Sequence, residues 1–160
     1  MKILIVGGAG YIGGALTDIL KDTNHEIMIY DLLLYEEMYR KAVPFVYGDI
    51  RDYKNLKTHL DWADVVVWLA ALVGDPACAL DESLTKKINN EPVLFLKENF
   101  NGRMIYMSSC SVYGSGEDTL TENSELNPLS LYARSKIEDE KVLEGTNTII
   151  FRLGTLHGIS

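Results

Sequence analysis

Residues 2–13 read KILIVGGAGYIG, a short apolar run followed directly by a glycine-rich turn. A continuous apolar run without alternation is typical of a strand buried on both faces of a parallel sheet. The spacing of Ile12, Leu16 and Ile19 after the glycines predicts a helix. This stretch therefore predicts a strand, a tight turn and a helix in immediate succession.

The glycines of the turn fit two registers of a dinucleotide-binding pattern. Gly8, Gly10 and Gly13 form G-x-G-x-x-G, whereas Gly7, Gly10 and Gly13 form G-x-x-G-x-x-G. Glycine permits a sharp turn and lets a pyrophosphate approach the helix N-terminus, where free N–H groups favour an anion. A merely tight turn is the alternative interpretation. The predicted cofactor-binding residues of the turn are Gly7, Gly10, Tyr11, Ile12 and Gly13.

Short apolar runs alternate with helical patterns along the whole chain. Further strands are predicted at 26–30, 44–47, 64–69, 103–107 and 148–153. Helices are predicted at about 33–41, 52–61, 81–99 and 130–144, with Pro92 kinking or restarting the third of them. Leu80, Leu84 and Ile88 are expected to form a core stripe, and 114–128 a polar surface loop. We predict one dinucleotide-binding domain, 1–160, of α/β class: a doubly wound, Rossmann-like parallel sheet of about six strands.

Composition excludes several classes of protein. The 160 residues carry a net charge of −8, which argues against nucleic-acid or anionic-membrane partners. The two cysteines and three scattered histidines lack metal-ligand spacing, so we expect no metal site. The apolar segment 63–74 is too short to span a bilayer. We expect a cytoplasmic, soluble protein.

Two aspartates follow predicted strands at the edge where a dinucleotide would lie. Asp31 ends the second strand and would accept hydrogen bonds from the adenosine ribose, while repelling a 2′-phosphate. Since no arginine follows it directly, NAD is favoured over NADP, although a solvated strand-end aspartate is the alternative. Asp49 and Ile50 follow the third strand, where they would contact the adenine.

The segment 132–136, YARSK, places a phenol and an ammonium on one face of a helix. A free tyrosine has a pKa of about 10. A nearby ammonium and a positively charged nicotinamide would favour the phenolate, so Tyr132 with Lys136 predicts a general base. Tyr53 and Lys57 have the same spacing but follow the third strand, where no reacting group is expected.

A cluster of hydroxyls follows the fifth predicted strand. Ser108, Ser109 and Ser111 flank Cys110, in a position to orient an alcohol or ketone toward Tyr132. Serines also end strands for local backbone reasons.

Together, these residues resemble the extended short-chain dehydrogenase/reductase family, in its NAD-dependent nucleotide-sugar epimerase/dehydratase group. The segments that carry the resemblance, in order, are 7–13, Asp31, 48–49, 69–71 (LAA), 108–114 (SSCSVYG), 132–136 and 152–158 (RLGTLHG). The resemblance covers nearly the whole chain.

The resemblance implies a role for each matching residue. Tyr132 would be the general base, Lys136 would bind the nicotinamide ribose and tune Tyr132, and Ser109 would orient the substrate. Cys110 and Ser111 would also contact substrate. Leu69, Ala70 and Ala71 would contact the NAD cofactor. The implied substrate is a nucleotide sugar, and the implied partner is a second copy bound through the helices around 81–99 and 130–144.

Departures from the family pattern narrow the expected chemistry. Cys110 and Ser111 stand where dehydratases of the family carry an Asp-Glu pair, which favours an NAD-dependent epimerase or reductase. Leu32 stands where many relatives have Asn, and Trp68 where many have His. Relatives are longer, so we expect this chain to lack the C-terminal substrate domain. The alternatives are a non-catalytic dinucleotide-binding module and an NADP-dependent ketone reductase of the same fold.

Overall fold

Six parallel strands form the single sheet of the computed structural model, which describes residues 1–34, 38–39, 41–116 and 119–158. The strands are β1 (Lys2–Val6), β2 (Glu26–Asp31), β3 (Phe45–Tyr47), β4 (Val65–Trp68), β5 (Arg103–Ser109) and β6 (Thr148–Leu153). Their order across the sheet is β3-β2-β1-β4-β5-β6. This is the doubly wound order, in which the chain leaves β1 for one side of the sheet and later returns to the other.

Six α-helices connect the strands in the described residues. They are α1 (Tyr11–Leu20), α2 (Tyr53–Trp62), α3 (Asp75–Leu80), α4 (Glu82–Asn89), α5 (Glu91–Asn99) and α6 (Leu131–Leu143), and a 3₁₀ helix spans Cys110–Tyr113. The predicted α/β class and six strands are confirmed, with strand ends that differ by one or two residues.

Three local predictions differ from the structure. The predicted helix at 81–99 is two helices, and Pro92 lies in the first turn of α5, so the chain restarts there. Helix α3 is not among the predicted elements. At 33–41, residues 33–34 and 38–39 are not helical, and 35–37 and 40 lie outside the described residues.

Apolar side chains fill both faces of the sheet. On one face, strand residues such as Leu4, Val66 and Trp68 pack with Leu56 of α2 and Leu96 of α5. The other face holds a smaller cluster, Ile3, Ile5, Ile27, Ile29 and Val67, with Leu16 and Leu20 of α1 against it. Because both faces are covered, the central strands read as continuous apolar runs. Within the described ranges, every helix is too short or too polar to cross a bilayer.

The expected core stripe of Leu80, Leu84 and Ile88 is wrong for two of its three residues. Leu80 is 88% exposed and Leu84 38% exposed. The buried residues of α4 are Thr85, which donates to the Cys78 carbonyl at 2.9 Å, and Asn89. The Asn89 side chain accepts from the Leu72 N–H at 2.8 Å and donates to the Leu72 carbonyl at 3.1 Å. Helix α4 therefore fixes the segment that follows β4.

Candidate active site

A cavity of about 510 Å³ opens at the carboxyl ends of β1, β2 and β4. This is the point where the strand order reverses, and doubly wound proteins bind ligands at such points. The cavity is lined by the predicted cofactor-binding residues Gly7, Gly10, Tyr11, Ile12, Gly13, Asp31, Asp49, Ile50, Leu69, Ala70 and Ala71. The other two predicted contacts, Tyr132 and Lys136, are not part of its lining. The structure thus brings together residues from four separate segments of the chain.

The glycines of the turn are needed for different reasons. Gly7 has a φ of +81°, and a Cβ added there would lie 2.5 Å from the Ala70 nitrogen. A Cβ on Gly13 would lie 2.5 Å from the Cα of Gly8. A Cβ on Gly10 would instead meet only the Gly7 carbonyl oxygen, at 3.6 Å. Packing therefore requires Gly7 and Gly13, whereas Gly10 keeps the mouth of the cleft clear.

That clear space lies at the N-terminus of α1, directly after Gly10, where no side chain caps the helix. The first N–H groups of a helix have no partner within it and attract anions. The chemistry of this cradle fits the pyrophosphate of a dinucleotide.

Asp31 links the end of β2 to the glycine turn. One carboxylate oxygen accepts from the Ala9 N–H at 3.0 Å and the other from the Leu33 N–H at 2.8 Å. Each carboxylate oxygen can accept more than one hydrogen bond, so capacity for ribose hydroxyls is left. The side chain is held in place before any ligand arrives.

Asp49 is paired with an arginine that the sequence reasoning did not single out. The Arg51 side chain donates to the two carboxylate oxygens at 2.5–3.0 Å, and these hydrogen bonds lower the pKa of Asp49. Arg51 also lines the cavity. Its charge is paired with that of Asp49. The proposed contact of Asp49 with adenine stays a prediction.

Tyr132 and Lys136 lie on α6, which packs against β5 and the 3₁₀ helix. The Lys136 ammonium is 5.7 Å from the centre of the Tyr132 ring. It is almost fully buried and donates to the Met107 carbonyl at 2.9 Å and to the Tyr106 hydroxyl at 3.0 Å. Burial lowers the pKa of Lys136 to about 8. The pKa of Tyr132 is raised, first by burial and then by the nearby Cys78 and Asp75. The lowering of this pKa expected from Lys136 together with a nicotinamide is therefore not found in the protein alone.

The hydroxyl cluster divides into two parts with different surroundings. Ser108 is buried and donates to Glu140 at 2.5 Å. Ser109 ends β5 and accepts from the Ser111 hydroxyl at 2.9 Å. Cys110 is an exposed free thiol. Ser111 lines a second cavity, of about 190 Å³, together with Asp75, Gly114, Ser115, Leu129 and Ser130.

An ion pair between Arg152 and Glu140, which is not predicted from the sequence, contacts this cluster through the hydrogen bond from Ser108 to Glu140. Arg152 on β6 donates to both carboxylate oxygens of Glu140 at 2.6–3.2 Å, and to the Tyr113 hydroxyl at 3.0 Å. Burial raises the pKa of Glu140, but hydrogen bonds from Arg152 and Ser108 outweigh it and lower that pKa. The pair thus joins α6, β6 and the 3₁₀ helix. Arg152 begins the matching segment 152–158, whereas Glu140 lies outside the matching segments, so the sequence gives no signal that the two are paired.

Known proteins resemble this chain in both sequence and fold. The family model described as "Epimerase: NAD dependent epimerase/dehydratase family" matches residues 3–160. The UDP-glucose 4-epimerase of Lactobacillus helveticus is 31% identical over 161 aligned residues, which cover 89% of this chain and 46% of that protein. The chain spans about half the length of the curated relatives it matches.

Solved structures of epimerases have the same fold as this chain. The UDP-glucose 4-epimerase of Thermus thermophilus, in complex with NAD, superposes with a TM-score of 0.86 at 25% identity, covering 95% of this chain and 54% of that one. The Campylobacter jejuni UDP-Glc/GlcNAc 4-epimerase superposes with a TM-score of 0.78 at 30% identity, covering 89% and 47%. The resemblance drawn from the motifs is confirmed, and so is NAD as the cofactor of the family. This chain belongs to the NAD dependent epimerase/dehydratase family.

Proposed function

We propose that residues 1–160 form the dinucleotide-binding domain of an NAD-dependent epimerase or reductase that acts on a nucleotide sugar. One observation carries the proposal: Lys136, 5.7 Å from the Tyr132 ring, donates to Met107 on β5, at the level of the sheet where Gly7 and Leu69 line the cleft. The UDP-glucose epimerases among the relatives support a sugar nucleotide as the substrate class.

The residues of the chain divide the work of binding and proton transfer. The N–H groups at the start of α1 hold the pyrophosphate, and Asp31 accepts from the adenosine ribose. Lys136 has one N–H left after donating to Tyr106 and Met107, and this N–H binds the second ribose. Bound NAD supplies a hydride acceptor and a positive charge. Ser109 orients the substrate hydroxyl, and Tyr132 takes its proton.

Tyr132→Phe in the longest available chain is the test of this proposal, with Tyr53→Phe as the matched control. Tyr53 has the same spacing to a lysine but stacks on Phe95, 4.5 Å away, between α2 and α5. We expect Tyr132→Phe to retain NAD binding and to lose activity by about 100-fold or more, the usual scale for a general base. Tyr53→Phe should keep full activity on a panel of UDP-sugars. Equal activity in both variants would refute the role of Tyr132.

A second candidate is dinucleotide binding without turnover. The cavity beside Ser111 is only about 190 Å³, below the several hundred Å³ that an organic ligand occupies. Calorimetric titration with NAD followed by the same substrate panel separates the two, since binding without conversion of any UDP-sugar favours the module. The titration also tests the third candidate, an NADP-dependent ketone reductase, which requires NADP to bind more tightly than NAD.

We also propose a homodimer formed through α4, α5 and α6. Leu84 and Leu94 lie exposed on this set of helices, which fits a helix-to-helix interface. Light scattering measures the oligomeric state directly. A cytoplasmic location stays a prediction, supported by two free cysteines of the kind that a reducing compartment maintains.

A further inference from the structure

Behind the catalytic pair, a chain of hydrogen bonds runs through the protein interior. The Lys136 ammonium donates to the Tyr106 hydroxyl at 3.0 Å, and that hydroxyl donates to one oxygen of Asp139 at 2.5 Å. The other oxygen of Asp139 accepts from the Asn90 amide at 2.8 Å. These hydrogen bonds therefore join a cation to an anion through a neutral phenol, between α6 and β5, with Asn90 contributed by the junction of α4 and α5.

All three central groups are removed from water. Lys136 is 4% exposed, Tyr106 1% and Asp139 0%. A buried charge is costly unless it is paired and hydrogen-bonded, and a buried lysine tends to lose its proton instead. Among the described residues, the acceptors bonded to the Lys136 ammonium are the Tyr106 hydroxyl and the Met107 carbonyl, both neutral. The negative charge that balances Lys136 within this chain of hydrogen bonds is the carboxylate of Asp139.

We propose that Asp139, acting through Tyr106, is a positioning residue that keeps the Lys136 ammonium charged and aimed at the cofactor cleft. The inference rests on the proposed function, in which Lys136 binds a ribose and acts beside Tyr132. Asp139 itself touches neither the cleft nor the reacting atoms. It follows Lys136 by three positions on α6, so both side chains lie on one face of the helix, and Tyr106 of β5 lies between them.

The surrounding charges indicate whether a variant should raise or lower the pKa of Lys136. Burial is the main cause that lowers the pKa of Lys136, to about 8, and Asp139, Cys78 and Glu140 oppose it. Burial likewise raises the pKa of Asp139 to about 6, opposed by Tyr106, Lys136 and Asn90 and reinforced by Glu138. Removing the carboxylate leaves Lys136 with burial and less compensation, so its proton must leave at a lower pH.

The test measures the ionisation of Lys136 directly, by NMR titration of the whole chain labelled with ¹³C at the lysine ε-carbon. The signal of Lys136 is assigned by its loss in Lys136→Met. We expect a midpoint below those of the other lysines in the wild type. Asp139→Asn should lower it by about one pH unit or more, the scale for losing a nearby opposite charge. Glu138→Gln is the matched control, since Glu138 is the exposed neighbouring carboxylate and its loss should leave the midpoint within a few tenths of a unit.

Tyr106→Phe gives a second, independent measurement. It keeps both charges and removes only the hydroxyl between them, so the Lys136 midpoint should again fall. Calorimetry with NAD at several pH values should show that affinity falls as the pH is raised. This fall should begin at a lower pH in both variants than in the wild type. An unchanged Lys136 midpoint in whichever of the two variants folds would overturn the inference. Unchanged UDP-sugar turnover in Tyr132→Phe of the longest available chain would count against the proposed function and would leave the titration result standing.

Discussion

Gly13 and Gly14 are neighbours in the first turn of α1, and alanine at each should have opposite effects on stability. Alanine in a helix interior is more favourable than glycine by about 1 kcal/mol. At Gly14 the nearest atom to a new Cβ is the Lys41 Cε at 3.6 Å, an ordinary contact. Gly14→Ala should therefore raise the free energy of unfolding by roughly 0.5–1 kcal/mol.

At Gly13 the same gain is outweighed by a clash. The new Cβ would lie 2.5 Å from both the Cα and the carbonyl oxygen of Gly8, and backbone atoms cannot rotate away. Overpacking of this kind costs about 1–3 kcal/mol, so Gly13→Ala should lower the free energy of unfolding by roughly 1–2 kcal/mol. The two variants should then differ by about 1.5–3 kcal/mol, which is roughly 3–12 °C in Tm for a chain of this size.

Urea unfolding and calorimetric titration with NAD together measure both consequences. Relief of the clash has to shift the start of α1, so Gly13→Ala should also bind NAD more weakly, by about tenfold, which equals roughly 1.4 kcal/mol. Gly14→Ala should bind as the wild type does. If Gly13→Ala proved as stable as Gly14→Ala and bound NAD equally well, the close approach of helix and turn would not be what requires glycine at position 13.

Two further predictions concern the mouth of the cleft and the ion pair behind the hydroxyl cluster. Gly10→Ala should change the free energy of unfolding by no more than about 1 kcal/mol, because its backbone angles suit alanine, yet calorimetry should show NAD affinity reduced about tenfold by the methyl group in the cradle. Glu140→Gln should lower the free energy of unfolding at pH 7 by about 2–3 kcal/mol, since it leaves the mostly buried Arg152 without its counter-ion. The folded pKa of Glu140 lies below the ordinary value of a glutamate, so its stabilising effect is present above that ordinary value and is lost as pH falls through the folded value. Urea unfolding between about pH 7 and 3 should therefore show a smaller loss on acidification in Glu140→Gln than in the wild type or in Glu138→Gln.

The strands and the cleft could be predicted from the sequence because their signals are local. A strand buried on both faces must be apolar throughout, so β1 is visible as Lys2–Val6 without any knowledge of its neighbours. The glycine turn is similarly local, since a sharp turn and a close approach impose the same residue type. Helix α3 was missed because its six residues follow Gly74 and include Pro76, a composition typical of loops.

The orientation of α4 required tertiary information. Leu80 and Leu84 have helical spacing, but Leu80 ends α3 and only Leu84 lies on α4. Spacing alone does not determine where one helix ends or which face of the next turns inward. Thr85 and Asn89 are buried instead, because backbone groups at Cys78 and Leu72 offer them hydrogen bonds. No pattern within α4 shows that these partners exist.

Helix α6 shows why hydrophobic periodicity in the sequence does not identify the residues that support the site. Its buried face carries Ser135, Lys136 and Asp139 beside Ala133 and Ile137, so polar and apolar residues do not separate into two stripes. Each of these buried polar groups has a hydrogen-bond partner, and replacement of such ionic groups by apolar ones is often neutral or stabilising. Packing alone therefore does not explain why a cation and an anion lie three positions apart in the interior. The proposed roles would explain both groups, since Lys136 would bind the cofactor and Asp139 would keep the Lys136 ammonium charged.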